Sequence, residues 1–158
     1  MPFMLGDGTE QRKKSEPLDR FKKAQESVYK QALEEIKKGC KSGHWIWFIF
    51  PQMKGLGMSY NANYYGISDL EEAKAYLMDP ILGSRLVEIS QTLLDLQNVT
   101  MWDVFGGVDE MKLRSSMTLF SMVSEDSVFE DVLNRYFNGE KDELTLTLVN
   151  RQEIHNSL

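Results

Sequence analysis

From Leu18 the apolar positions step by three and four. Leu18, Phe21, Ala24, Val28, Ala32, Leu33 and Ile36 fall on one stripe with Gln25, which predicts a single helix running towards Gly39. Asp19 is placed to cap its start and Gly39 to supply a left-handed stop. Six apolar residues then run without interruption from Trp45 to Phe50, a pattern that fits a buried strand as well as a buried helical turn. Pro51 closes the run, because a residue before proline avoids the helical region. Gly55 and Gly57 predict a loop ending near Tyr60.

Ser68 and Glu71 have capping-box spacing at the head of a helix through Met78. Asp79-Pro80 predicts a restart, with Asp79 as cap and Pro80 at the first helical position, where its missing N–H costs nothing. Ile81, Leu82, Leu86, Ile89, Leu93, Leu94 and Leu96 give that helix its buried side. Thr100 opens a short TMWDVFG turn that Gly106 closes, and Asp109 caps a helix through about Met122. Asp126 or Ser127 caps the next one, Gly139 ends it, and Asp142 begins a last helix through about Ile154. Strand-type alternation is nearly absent. The pattern therefore predicts an all-α fold, a single compact domain of about seven or eight helices over 17–156. A flexible N-terminal tail, 1–16, is expected before it, since that stretch has charges and turn formers but no periodicity.

Composition narrows the possibilities. The chain has 158 residues, 42% of them apolar and 27% charged, enough for one globular core. A net charge of −6 argues against a general nucleic-acid binder, which needs a basic face for phosphates. Basic clusters at Arg12–Lys14, Lys22–Lys23 and Lys37–Lys41 are interspersed with acids and read as solvated surface. Cys40 is the only cysteine, so no internal disulfide or multi-cysteine metal site forms. No apolar run approaches the roughly 20 residues that span a bilayer, and Met1–Leu5 is too short for a signal peptide core. A cytoplasmic protein with no membrane partner is expected.

Two stretches carry candidate chemistry. In HWIWFIFPQMKGLGMS, His44 to Ser59, the aromatic block is bracketed by His44 and Gln52. Trp45 and Trp47 wall either a core plug or a ligand; Gln52 offers a donor and an acceptor, and His44 transfers protons near neutral pH. The glycines ending at Ser59 allow close approach of a phosphate or a plain turn. In KLRSSMTLF, Lys112 to Phe120, the cations Lys112 and Arg114 precede Ser115 and Ser116, poor residues for a helix interior. Their use is either tight helix packing or hydrogen bonding to an anionic or sugar-bearing ligand. Rossmann and P-loop spacings are absent, so no cofactor is expected. No metal is expected either: only His44 and His155 are available as histidine ligands. Nucleophilic catalysis has weak support, a Cys40–His44 pair being its only form. Asp103, Asp109 and Glu110 lie near the Trp102 turn as possible acid–base groups.

At HWIWFIFPQMKGLGMS, YGISDLEEAKAYL, PILGSRL and LRSSMTLF the chain resembles a bacterial family of unknown function, whose members often carry the label calpastatin in error. The resemblance runs collinearly from about Leu18 to Leu148. It implies an all-helical single domain and directs attention to the aromatic block, Pro51-Gln52, Leu56-Gly57, Ser59, Tyr65, Arg85 and Lys112 to Phe120. One departure is Asp79, where the family usually has histidine. A weaker likeness to the NADAR-type N-glycosidases implies only a ligand class, ribosyl-linked small molecules. Together these predict a small-molecule pocket for a nucleotide or ADP-ribose-type ligand, either bound or hydrolysed. Its polar contacts would come from Gln52, Ser59, Lys112, Arg114, Ser115 and Ser116, with His44 as the catalytic candidate. The alternative is a non-catalytic protein-interaction module with a methionine-rich patch.

Overall fold

A computed structural model describes residues 17–158; the expected tail, 1–16, lies outside the described residues. Helical segments occupy 17–26 (α1), Tyr29–Lys37 (α2), Ile46–Ile49 (α3), Tyr60–Tyr64 (α4) and Leu70–Met78 (α5). Pro80–Asp95 (α6), Met101–Ser121 (α7), Val128–Phe137 (α8) and Glu143–Ser157 (α9) complete the order. The fold is all-α, and among the described residues strand pairing is limited to one isolated parallel bridge between Met53 and Ile67.

The first predicted helix is two. At Val28 the backbone leaves helical geometry (φ −118°, ψ −28°) and its N–H reaches only to the Gln25 carbonyl, 3.1 Å away. The break turns each half towards a different neighbour. Phe21 of α1 packs edge-on to Tyr76 of α5 at 5.1 Å, while α2 packs along α6. Gln25 sits at the joint with its amide on the Phe48 carbonyl (2.8 Å) and the Tyr76 hydroxyl (2.9 Å). Asp19 is therefore no cap, since the chain is already helical at 17. With this split and the two short turns α3 and α4, the described residues form nine helical segments against the seven or eight expected.

Capping details also differ from expectation. At α5 the reciprocal pair is displaced by one residue: Asp69 accepts from Glu72 N–H, and Glu72 accepts from Ser68 N–H. Asp79 caps α6 as predicted, accepting from the amides of Ile81 (2.9 Å) and Leu82 (3.0 Å). Its second oxygen pairs with Lys22 at 2.7 Å, so Asp79 is here a structural anchor. Thr100 opens a helix rather than an isolated turn, through a capping box with Asp103. Gly106 closes this first segment as expected, its backbone being non-helical (φ 78°, ψ 170°); across that kink α7 continues to Ser121. Asp109 is consequently inside the helix and caps nothing.

The core is one cluster. Helix α6 contributes Leu82, Leu86, Ile89 and Leu93, packing against α2, α5 and α8; α7 contributes Leu113, Met117, Leu119 and Phe120, packing against α5, α8, α9 and α3. Gly83 lets α6 approach the end of α5, because any Cβ there would collide with the Leu77 carbonyl oxygen. Backbone is a poor neighbour to displace. Gly83→Ala should lower stability by about 1–3 kcal/mol despite the helix propensity gained, measured as a fall in the urea midpoint. Unchanged or higher stability would refute the close approach.

Candidate functional site

The chain enters the aromatic block through residues 42–45, and one buried carboxylate shapes that passage. Glu35 of α2 accepts from Ser42 N–H (2.8 Å), Gly43 N–H (2.9 Å) and the Trp45 indole (2.9 Å) on one oxygen. Its other oxygen accepts from Gln31 at 2.7 Å. Burial opposes ionisation, but these hydrogen bonds from Gly43, Gln31, Ser42 and Trp45 outweigh it and hold the carboxyl down at about 2, from an ordinary 4.5. Lys41 lies 5.0 Å over the Trp45 ring and pairs with Asp109 of α7 at 2.7 Å. Trp45 is thus a core residue, only 1% exposed, and not a ligand wall. His44 stays at the surface, outside the hollows that the other candidates line.

Beyond α3 the chain turns through Pro51 and delivers Gln52. Its carbonyl accepts from Ile67 N–H (2.9 Å), which pins the loop, and its side chain is only 5% exposed. The Gln52 carboxamide lines a hollow of about 210 Å³ between loop 52–57, α7 and the start of α9. Lys112, Ser115 and Asp142 face it, and Leu56, Val108, Met111 and Leu144 form an apolar rim. The carboxamide takes part in no hydrogen bond among the described residues. Lys112 lies 5.1 Å over the Trp47 ring and 3.6 Å from Asp109. The Trp47 indole N–H and the Ser116 hydroxyl are buried without a partner.

Arg114 departs from its expected role. Its guanidinium turns to the carbonyls of Glu140 (3.0 Å) and Lys141 (2.9 Å), holding the segment before α9. Ser115 meets Asp142 at 3.1 Å, and the Thr118 hydroxyl accepts from Asp142 N–H at 2.9 Å. The hydroxyls of Ser115 and Thr118 thereby seat the first turn of α9, and a ligand need not explain these two. Ser59 caps α4, accepting from Ala62 N–H, and is exposed. Of the predicted set, Gln52, Lys112 and Ser115 converge on one hollow, with Trp47 beneath Lys112; His44, Trp45, Ser59, Arg114 and the fully buried Ser116 do not join them. Asp142 was legible only as a helix cap, because nothing local signals that it faces Ser115.

Among the described residues, no three His, Cys, Asp or Glu side chains gather as a metal site would require. None of the described helices is long and apolar enough to cross a membrane.

These features describe an all-helical domain with a small, open, polar-floored hollow. The chain belongs to the family described as protein of unknown function DUF1810, whose model matches residues 15–149. It is also similar to a solved structure, the conserved hypothetical protein Rv1873 from Mycobacterium tuberculosis. That likeness has 44% identity and a TM-score of 0.83, covering 84% of this chain and 96% of the other. No curated protein matches the chain.

The Glu35 carboxyl makes a signed prediction. Its folded pKa lies below its unfolded value, so its stabilisation is fully present above pH 4.5 and is lost as the pH falls towards about 2. Glu35→Gln should cost on the order of 3 kcal/mol at pH 7. The gap from wild type, measured by denaturant unfolding, should close across that acid window. A gap independent of pH would exclude the ionised carboxylate as its source.

Proposed function

We propose that the hollow beside Gln52 binds a small polar molecule, with nucleotide or ADP-ribose-type compounds as its ligand class. The observation that carries this is Gln52, only 5% exposed and lining the hollow, whose carboxamide makes no hydrogen bond among the described residues. A ligand with a complementary donor and acceptor would pair with it, a hydrogen bond contributing about 0.5–1.5 kcal/mol net. Opposite stand a cation, Lys112, and a carboxylate, Asp142, which suit a ring nitrogen, a sugar hydroxyl or an anionic oxygen. At about 210 Å³ the hollow is smaller than the roughly 300–1,000 Å³ of sites enclosing drug-sized ligands. It suits one ring or sugar, the remainder of a larger ligand lying along the surface.

Binding has more support than hydrolysis. With His44 outside the hollow, N-glycoside cleavage would fall to Asp142, the carboxylate that lines it. One Asp142 oxygen already accepts from Ser115 and from the backbone and hydroxyl of Thr145.

The rim favours a second reading, an interaction module. Val108 and Met111 are about 70% exposed, and Leu144 is 53% exposed. A partner presenting an apolar side chain would cover them.

Calorimetric titration with ADP-ribose, NAD and simpler nucleotides discriminates the two. Micromolar to millimolar binding is expected, weakened roughly 5- to 30-fold by Gln52→Ala, equivalent to about 1–2 kcal/mol. Silence across the panel at millimolar ligand removes the nucleotide version. A Met111→Lys variant that alone abolishes partner capture would favour the interaction module.

A further inference from the structure

Loop 52–57 separates two hollows. Gln52, Leu56 and Gly57 face the one already described; Met53, Lys54 and Gly55 face a second of about 480 Å³. Helix α9 runs past both, giving Leu144 to the first and Leu148, Arg151 and Gln152 to the second. Four residues separate the two leucines, about 6 Å along the helix axis.

The second hollow has an unusual charge for this chain. Its lining contains Lys54 and Arg151 and no carboxylate, in a protein of net charge −6. Several cations elsewhere are engaged: Arg20 with Glu72, Lys22 with Asp79, Lys41 and Lys112 with Asp109, Arg114 and Arg135 with carbonyls. Other exposed lysines, Lys30 and Lys74 among them, are not, but they do not line this hollow. Among the described residues, Lys54 and Arg151 form no ion pair. The neutral groups nearby are occupied. Asn63 donates to the carbonyls of Met58 and Ser59, Gln152 to Asn156, and Ser68 to Glu72. Lys54 and Arg151 are thus the charged groups of a hollow that no carboxylate lines.

We propose that Lys54 and Arg151 form an anion seat for the phosphate or carboxylate oxygens of a ligand. Arg151 supplies a planar fork suited to paired oxygens, and Lys54 a compact charge from the facing loop. The rigid Met53–Ile67 bridge fixes the loop that carries Lys54, since Lys54 N–H donates to Ile67 at 2.8 Å. The seat stands independently of the Gln52 hollow. Only its further use, receiving the charged end of a ligand held there, rests on the preceding proposal.

The test is titration of the full chain with pyrophosphate and, separately, citrate at low salt. Wild type should bind at least one of them, weakening as salt rises; the tighter of the two assigns phosphate or carboxylate as the preferred chemistry. Lys54→Gln/Arg151→Gln should bind at least tenfold more weakly. Lys30→Gln/Lys74→Gln, which removes equal charge from exposed positions elsewhere, should bind as wild type does. All four positions are exposed, so folding should survive, and melting curves check that. No binding of either anion at millimolar concentration overturns the seat, as does equal weakening in both double variants. Nucleoside binding without anion binding would sink the seat alone, whereas the reverse would sink the Gln52 hollow alone.

Discussion

The carboxylate of Glu35 holds the geometry on which the aromatic block depends. A buried ion is costly unless its lone pairs are filled. Here four donors fill them, three of them from the segment between α2 and α3. That closure pins the Trp45 indole in the core and sets the direction in which α3 leaves. Everything downstream, including the Pro51 turn and the inward aim of Gln52, inherits that direction. A hydrophobic residue at position 35 would fill the space and leave three backbone or indole N–H groups unsatisfied.

A second joint ties this block to α7. Lys41 and Lys112 each lie over a tryptophan, Trp45 and Trp47 respectively, and both reach Asp109. One carboxylate thus links the passage into the aromatic block with the helix that forms the opposite wall of the hollow. Further along α7, Arg114, Ser115 and Thr118 hold the start of α9. The polar content of KLRSSMTLF divides between these tasks: mainly helix positioning, with Lys112 and Ser115 also reaching the cavity.

Much of the helical architecture is legible in residue order. Asp79-Pro80 starts a helix, and Leu82, Leu86, Ile89 and Leu93 of α6 reach the core as their spacing implies, although Ile81, expected beside them, is exposed. These signals are local: a cap uses donors two or three residues away, and a stripe needs only the helical period. The errors are equally physical. The break at Val28 serves contacts to distant Phe48 and Tyr76, which no local pattern encodes. Gly106 is the break that its type suggested, but a second helical segment follows it directly across the kink.

The site was partly legible. Gln52, Lys112 and Ser115 stand out by type and setting, and all three line one hollow. Arg114 stood out as strongly but spends its guanidinium on carbonyls 26 and 27 residues away. Glu35 and Asp142 gave no comparable signal, since a glutamate inside a helix and an aspartate before one are ordinary. Residue order determined the all-α class, the principal helix starts and the short roster of polar residues able to bind something. Tertiary structure alone decided which were spent on the protein and which face open space, because a side chain's free valence depends on partners that only packing brings within reach.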